Sequence, residues 1–397
     1  MKKLVPADQV ALPGDLKRVN RQRILNILRT GRVLTAADIH EETGISRPTV
    51  MRALQDFCAL GAVKSLGLGE TTRMGGKKPE LFILSDEQRI LCINLWPETI
   101  TLALCGMTGD VQHAQSYPQP MAGDLNAALE PLRDKVTAYL AQHSLTADAL
   151  YGMVLTVPGT VDYEQNLLRY NVKAPGWGAD VPLIPCLREL FGENLHSCID
   201  NAGKAAGRAL LLEKPEYADK RLMTFFTTWG VSACMIERGH VLNGRDSLIG
   251  EIGHMIVASD GPVVCGCGKR GCLESLVSAS HMRRLMNDES LTFPSLFARS
   301  AAGDEKAREV VAHFAHCFAV ALHNLSLCYN QESVIFQGDF AHADPWFDRC
   351  LTQELRQFRY YPDGEFFTIE YDARDLSHLA AQGAAELLRK QYFTGLE

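Results

Sequence analysis

The sequence lacks any uninterrupted apolar run of the roughly 20 residues needed to cross a bilayer. The longest approach to one, residues 310–330, is broken by His313, His316, His323, Asn324 and Asn330. It also lacks an N-terminal block of positive charge followed by an apolar segment, so a cytoplasmic protein with no membrane span is expected. Its 12 cysteines show no framework spacing outside one short stretch. The others read as small, reduced, buried residues in a reducing compartment.

A strong overall charge is missing too, but the modest net −7 hides an uneven distribution. Residues 1–84 hold 14 Lys or Arg against eight Asp or Glu, whereas the remainder holds 26 against 39. A basic leading segment on an acidic body points to a polyanion partner for that segment. At 397 residues the chain has room for two or three folded units.

The leading segment carries a specific local pattern. Residues 1–15, with Pro6, Pro13 and Gly14, read as a flexible arm, and Asp15 as the cap of a first helix with an apolar stripe of Leu16, Val19, Ile24, Leu25 and Leu28. A second helix starts at Thr35 and stops at a turn on Gly44. The third starts at Ser46 with Pro48 just inside it, a preferred order at helix N-termini. Val50, Leu54, Phe57 and Leu60 give its buried face, leaving Arg47, Thr49, Met51, Arg52 and Gln55 outward. This is a helix-turn-helix pattern whose third helix would present side chains to base edges. Residues 62–84 then read as two strands around a basic glycine-rich tip of Arg73, Gly75, Gly76, Lys77 and Lys78, a wing able to reach phosphates or a minor groove. Double-stranded DNA is the expected partner.

A second stretch, residues 250–278 (GEIGHMIVASDGPVVCGCGKRGCLESLVS), gathers His254, Cys265, Cys267 and Cys272 within 19 positions. Four soft or borderline donors with no open position suit a structural zinc. The interleaved glycines let the backbone fold tightly enough to bring three thiols to one ion. Glu251 and Glu274 flank the set, and the second ring nitrogen of His254 needs a partner of its own, a bound ligand or a fixed acceptor.

This stretch resembles the signature of the ROK family of bacterial repressors and sugar kinases, GExGH followed by CxCGxxGCxE. Gly250, Glu251, Gly253, His254, Cys265, Cys267, Gly268, Gly271, Cys272 and Glu274 all match. The resemblance covers roughly residues 86–397 and implies a two-lobed, actin-like (RNase H-like) domain with sugar in the cleft between lobes. The segment before it is similar to the N-terminal winged helix of ROK repressors, which ROK kinases lack.

Within the resemblance, the phosphate-binding elements depart from the pattern. Where the kinases carry DxGGT, this sequence has Asn94, Leu95, Trp96, Pro97 and Glu98. Where they carry GTGIGGG, it has Thr228, Trp229, Gly230, Val231, Ser232, Ala233 and Cys234, and the later GG is Gln337 and Gly338. A carboxylate and most of the close-approach glycines are gone, and an added negative charge at Glu98 would repel phosphate. The sugar-side positions are better kept. Asp200 matches the family's catalytic base, and Glu251, His254 and Glu274 match sugar contacts, whereas Ile199 stands where the family has asparagine. Asp200 also reads simply as a helix N-cap. Asn171 and the Pro-Gly-Trp at 175–177 resemble a loop near the sugar.

The expected architecture is therefore α/β: a winged helix-turn-helix over residues 1–85 and a ROK domain over 86–397 with a structural zinc knuckle. The expected function is transcriptional regulation, most simply repression of carbohydrate genes, by a homodimer or higher homo-oligomer on a pseudo-palindromic operator. A sugar or sugar phosphate would be the effector and no catalysis is expected. A sugar kinase tethered to DNA and a regulator controlled by a partner protein are the alternatives.

Overall fold

Runs such as RILCINL at 89–95 and LYGMVLTV at 150–157 are apolar on both faces, which suits central strands covered on each side. In the computed structural model, which describes residues 13–69, 78–119, 123–193, 195–259, 261–358 and 367–397, these runs pair with each other in parallel at the centre of a sheet.

The N-terminal unit comprises α1 (Pro13–Leu28), β1 (Leu34–Thr35), α2 (Ala36–Thr43), α3 (Arg47–Ala59), β2 (Val63–Leu68) and β3 (Glu80–Leu84), with strand order β1-β3-β2, all antiparallel. Thr35 and Asp38 form a reciprocal capping box at the start of α2, and Gly44 closes that helix at φ +70°. Ser46 stands at the N-cap of α3, but its hydroxyl meets the Thr49 hydroxyl at 2.8 Å instead of capping the backbone.

Three sequence expectations fail here. The helix begins at Pro13, so residues 13–15 belong to α1 and not to an arm, and Asp15 lies inside the helix; residues 1–12 lie outside the described residues. Leu16 and Val19 are exposed at 58% and 44%, because α1 turns Ile24, Leu25, Leu28 and the stem of Arg21 inward instead. Leu60 is exposed just past the end of α3.

The next lobe is built from β4 (Arg89–Leu95), β5 (Thr99–Gly106), β6 (Val111–Pro118), α4 (Leu125–Gln142), β7 (Leu150–Val157), the short strands β8 (Thr160–Asp162), β9 (Leu167–Tyr170) and β10 (Val181–Pro182), α5 (Leu183–Phe191), β11 (His196–Asn201) and α6 (Ala202–Glu213). Its main sheet runs β6-β5-β4-β7-β11, the first three antiparallel and the last two parallel to β4. The second lobe repeats that plan with β12 (Arg221–Thr227), β13 (Val231–Glu237), β14 (His240–Val241), α7 (Leu273–Val277), α8 (Ala279–Met286), α9 (Phe293–Ala301), α10 (Glu305–Tyr329), β15 (Ser333–Gly338), α11 (Pro345–Gln357) and β16 (Thr368–Asp372), in sheet order β14-β13-β12-β15-β16. Two sheets of like order face each other across a cleft, the actin-like arrangement.

Helix α10 is the one among the described residues long and apolar enough to cross a membrane. Its apolar face, including Phe314, Phe318 and Leu322, is buried in the second lobe against β12, β15 and α11.

The last helix, α12 (Leu376–Leu396), crosses back to the first lobe and packs on α6, β4 and β7. It also receives the winged helix. One continuous apolar cluster runs from Ile24, Leu28 and Phe57 into Leu388, Phe393 and Leu396. Polar contacts fix the same seam: Arg21 Nε donates to the Leu396 carbonyl at 2.8 Å, and Arg29 Nη2 meets Glu386 Oε1 at 2.7 Å with its guanidinium over the Phe393 ring. Glu386, nearly fully buried, holds Arg389 through its other oxygen.

Candidate ligand cleft, metal centre and DNA-binding face

The metal donors come from a loop that only glycine permits. Gly250 and Gly271 adopt φ +106° and +75°, and a Cβ at either would overlap a backbone carbonyl, of Ala233 and Ala258 respectively. The loop brings His254, Cys265, Cys267 and Cys272 together with all four ligand atoms within 4.8 Å of one another. Cys265 Sγ lies 3.5 Å from His254 Nδ1, and Cys267 Sγ lies 3.7 Å from Cys272 Sγ. Metal–sulfur bonds of about 2.3 Å in a tetrahedron give edges of roughly 3.8 Å, so the donor set fits a four-coordinate ion with Nδ1 as the histidine donor. The imidazole also lines the interlobe cleft.

On the side where the family resemblance places sugar, the cleft is walled by Asn171, Lys173, Asn201, Glu251, His254 and Glu274. Glu274 is held from both lobes: Oε2 accepts from the Val231 amide at 3.0 Å, and Oε1 accepts from Lys173 Nζ at 3.0 Å. Lys173 belongs to the first lobe and Glu274 to the second, so this ion pair bridges the cleft. Gly230 keeps it open to contact, because a Cβ there would fall 2.7 Å from Glu274 Oε2.

Asp200 is not where the sequence reading put it. Its side chain is fully buried, and Oδ2 meets Arg208 Nη1 at 2.5 Å while Oδ1 accepts from the Asn201 amide. It neither contacts the cleft nor caps α6, and the cap is Asn201, whose Oδ1 accepts from the Lys204 amide at 3.0 Å. Asn201 also lines the cleft and donates to the Gly159 carbonyl at 2.7 Å. The register at the end of β11 thus turns the neighbouring residue toward the cleft, a one-step difference that reverses which side chain faces out. Ile199 sits in the core of the first lobe, so its apolarity takes nothing from the cleft. Arg208, which neutralises Asp200, also donates to the Gly383 carbonyl of α12 at 3.1 Å.

The side where kinases of the family would hold phosphate is filled with rings. Trp96, at the β4–β5 turn, stacks on Phe226 with centroids 6.0 Å apart and planes 8° from parallel. Trp229, at the β12–β13 turn, lies 5.4 Å from Trp96, tilted 35°. Trp96 is 4% exposed and its indole N–H has no acceptor among the described residues. The two turns that would approach phosphate from opposite lobes therefore touch each other through aromatic rings. Beyond them lies an open cavity of about 1010 Å³.

On the winged helix, Arg47, Thr49, Arg52 and Gln55 are exposed along α3, and Lys78 is exposed beside β3. Met51 is half-buried and packs on the core, so it is only partly available to a partner. Arg73 and Lys77 lie outside the described residues. Sequence reasoning missed Asn201, Lys173 and the ring stack as cleft features. The Asp-Asn step at a strand end and the Trp at each lost glycine loop were the signals available for two of them.

Residues 90–391 match the family model described as "ROK family", and residues 22–67 match that of the IclR helix-turn-helix domain. The chain is 22% identical to the DNA-binding transcriptional dual regulator NagC of Escherichia coli K12, over 96% of this chain and 95% of that one. It is 26% identical to a glucokinase of Halalkalibacterium halodurans, over 66% of this chain and 83% of the enzyme. A ROK family transcriptional regulator of known structure, a homologue of the Escherichia coli MLC protein, superposes with a TM-score of 0.75 at 20% identity, over 96% of this chain and 98% of that one. With the family model matching most of its length over the cleft and metal loop just described, the chain belongs to the ROK family.

Proposed function

We propose that this protein is a DNA-binding transcriptional regulator, a repressor of carbohydrate genes. Its winged helix (residues 1–85) reads an operator, and its ROK domain (residues 86–397) binds a sugar or sugar phosphate. The observation that carries this reading is the division of one cleft: polar sugar-side residues kept in place, glycine phosphate loops replaced by Trp96 and Trp229. Such a cleft can hold a ligand but offers no cradle for a nucleotide, so the protein catalyses no phosphoryl transfer. The bound metal is zinc, on the chemistry of a Cys3His set.

Arg47, Thr49, Arg52 and Gln55, with a lesser part for Met51, meet base edges, while Arg73, Lys77 and Lys78 reach phosphates from the wing. Glu251, His254 and Glu274 hold the sugar through hydroxyl hydrogen bonds, joined by Asn201 in place of Asp200. A homodimer would place two recognition helices one helical turn apart on a pseudo-palindrome. Effector binding acts by favouring one arrangement of lobes and winged helix over another, which requires different affinity for the two. The α1–α12 seam is the part of the molecule such a change has to pass.

Selection from random duplex DNA by the full-length, zinc-loaded protein tests the reading. An enriched two-fold motif whose binding a sugar releases is expected. A folded, metal-loaded protein that enriches no motif, with or without sugars and sugar phosphates, would overturn it. On the selected site, Arg52→Ala should lose about 1–3 kcal/mol relative to random DNA if it reads a base.

A further inference from the structure

We infer that the effector is longer than one sugar ring: a disaccharide or glycoside whose second unit lies on the face of Trp229, in the cavity where a nucleotide would otherwise sit. The inference rests on the sugar-effector reading and adds to it a second subsite.

The space comes first. The phosphate loops are gone, yet the cavity of about 1010 Å³ beyond them remains, at the upper end of the usual range for small-molecule sites. It adjoins the sugar side through shared walls, since Trp96, Lys173, Thr228, Trp229 and Glu274 border both. A ligand confined to the sugar side would leave most of this volume to water.

The walls then limit what can fill it. Thr99, Thr228, Ser278, Ser280 and Ser377 line the cavity with hydroxyls, groups that both donate and accept and so match sugar hydroxyls. Two of its cations are paired with carboxylates, Lys173 with Glu274 and Arg374 with Asp372 and Glu213, while Arg283 donates to the Leu291 carbonyl. Glu98 and Asp339 add negative charge to the same wall. A polyphosphate would meet two carboxylates with Arg283 as the cation not held by an acidic partner among the described residues, whereas a neutral polyol needs no charge to balance it.

The platform is Trp229. It is 41% exposed although it sits at the junction of the two spaces. Behind it, Trp96 and Phe226 form a buried stack that holds the exposed ring in place. A large aromatic face left open inside a cleft marks a binding surface, and the C–H face of a pyranose is the complementary shape for a ring fixed among hydroxyls.

The test uses the full-length, metal-loaded protein and titration calorimetry with glucose, N-acetylglucosamine and xylose beside maltose, cellobiose, isomaltose, xylobiose and N,N′-diacetylchitobiose. At least one disaccharide is expected to bind ten-fold or more tightly than its own monosaccharide. Trp229→Ala should cost that disaccharide at least ten-fold more affinity than it costs the monosaccharide, and Trp229→Phe, which keeps a ring, should restore most of the difference. Equal or tighter binding of a monosaccharide, or an unchanged ratio in Trp229→Ala, overturns this inference and leaves the sugar-effector reading standing. Failure of every saccharide to bind a protein that still recognises its operator overturns this inference, and failure of glucose 6-phosphate and N-acetylglucosamine 6-phosphate as well overturns both.

Discussion

The two ends of the interlobe cleft have undergone opposite treatment on one scaffold. At the metal end the chain keeps glycines where the backbone has no alternative, Gly250 and Gly271, and all four donors converge within 4.8 Å. At the phosphate end the turns that would need glycine carry Trp96, Pro97 and Trp229, and rings from the two lobes meet at 5.4 Å. The contrast shows that the cleft is not simply worn down. At this end the turns pack the two lobes against each other, whereas at the other the loop gathers donor atoms.

If the metal end is a folding element, breaking it should have the largest effect. Chelation of the metal, or Cys267→Ser, removes a binding free energy that is of order 10 kcal/mol in small structural zinc sites. Calorimetry should show the second lobe melting far earlier, and an unchanged melting curve would exclude the structural role. The phosphate end should respond next. Trp96→Ala deletes a buried ring stacked on Phe226 and should destabilise the chain by about 3–5 kcal/mol in urea titrations, without conferring sugar-dependent ATP consumption. A cost below about 1 kcal/mol would mean the rings do not clasp the lobes. A smaller effect belongs to the seam that has to carry any signal from either end. Arg29→Ala removes a charged hydrogen bond to the buried Glu386, leaving Arg389 as its partner, and should cost about 1.5–3 kcal/mol. It should also raise amide exchange at the contacting faces of α1 and α12; protection unchanged there would show that the seam does not depend on this pair.

What the sequence revealed follows the distance over which each feature is encoded. The metal set was legible because its four donors lie within 19 residues and their glycines sit between them. Helix α3 was legible from its period and from Pro48, and α10 and β15 from long local patterns. Features set by remote partners were not. Leu16 and Val19 carry a helical stripe, yet α1 is oriented by Arg21 on Leu396 and Arg29 on Glu386, partners more than 350 residues away. The exchange of Asp200 for Asn201 at the cleft turns on one residue of register at a strand end, which a motif match does not resolve. The ion pair between Lys173 and Glu274 spans two lobes, and neither residue's neighbours signal the other.

A pH-resolved measurement sharpens the comparison where the expected effect is smallest. Asp339, in the phosphate-side wall, has its carboxyl pushed up from the ordinary value of 3.8 to about 6, chiefly by burial, with His342 pulling the other way. A raised carboxyl favours the protonated form in the folded state. Below about pH 4 both folded and unfolded chains hold the proton and there is no penalty. As pH rises to 6 the unfolded chain ionises first, and the fold loses stability through that window and keeps the deficit above it. Asp339→Asn cannot ionise, so its advantage over the parent should be larger at pH 7.5 than at pH 4.5. The difference should be on the order of 1 kcal/mol, less than the bare shift implies because the side chain still partly meets solvent. Equal stability increments at the two pH values would mean the wall does not penalise negative charge. The case against phosphate at this end of the cleft would then rest on the tryptophans and Glu98.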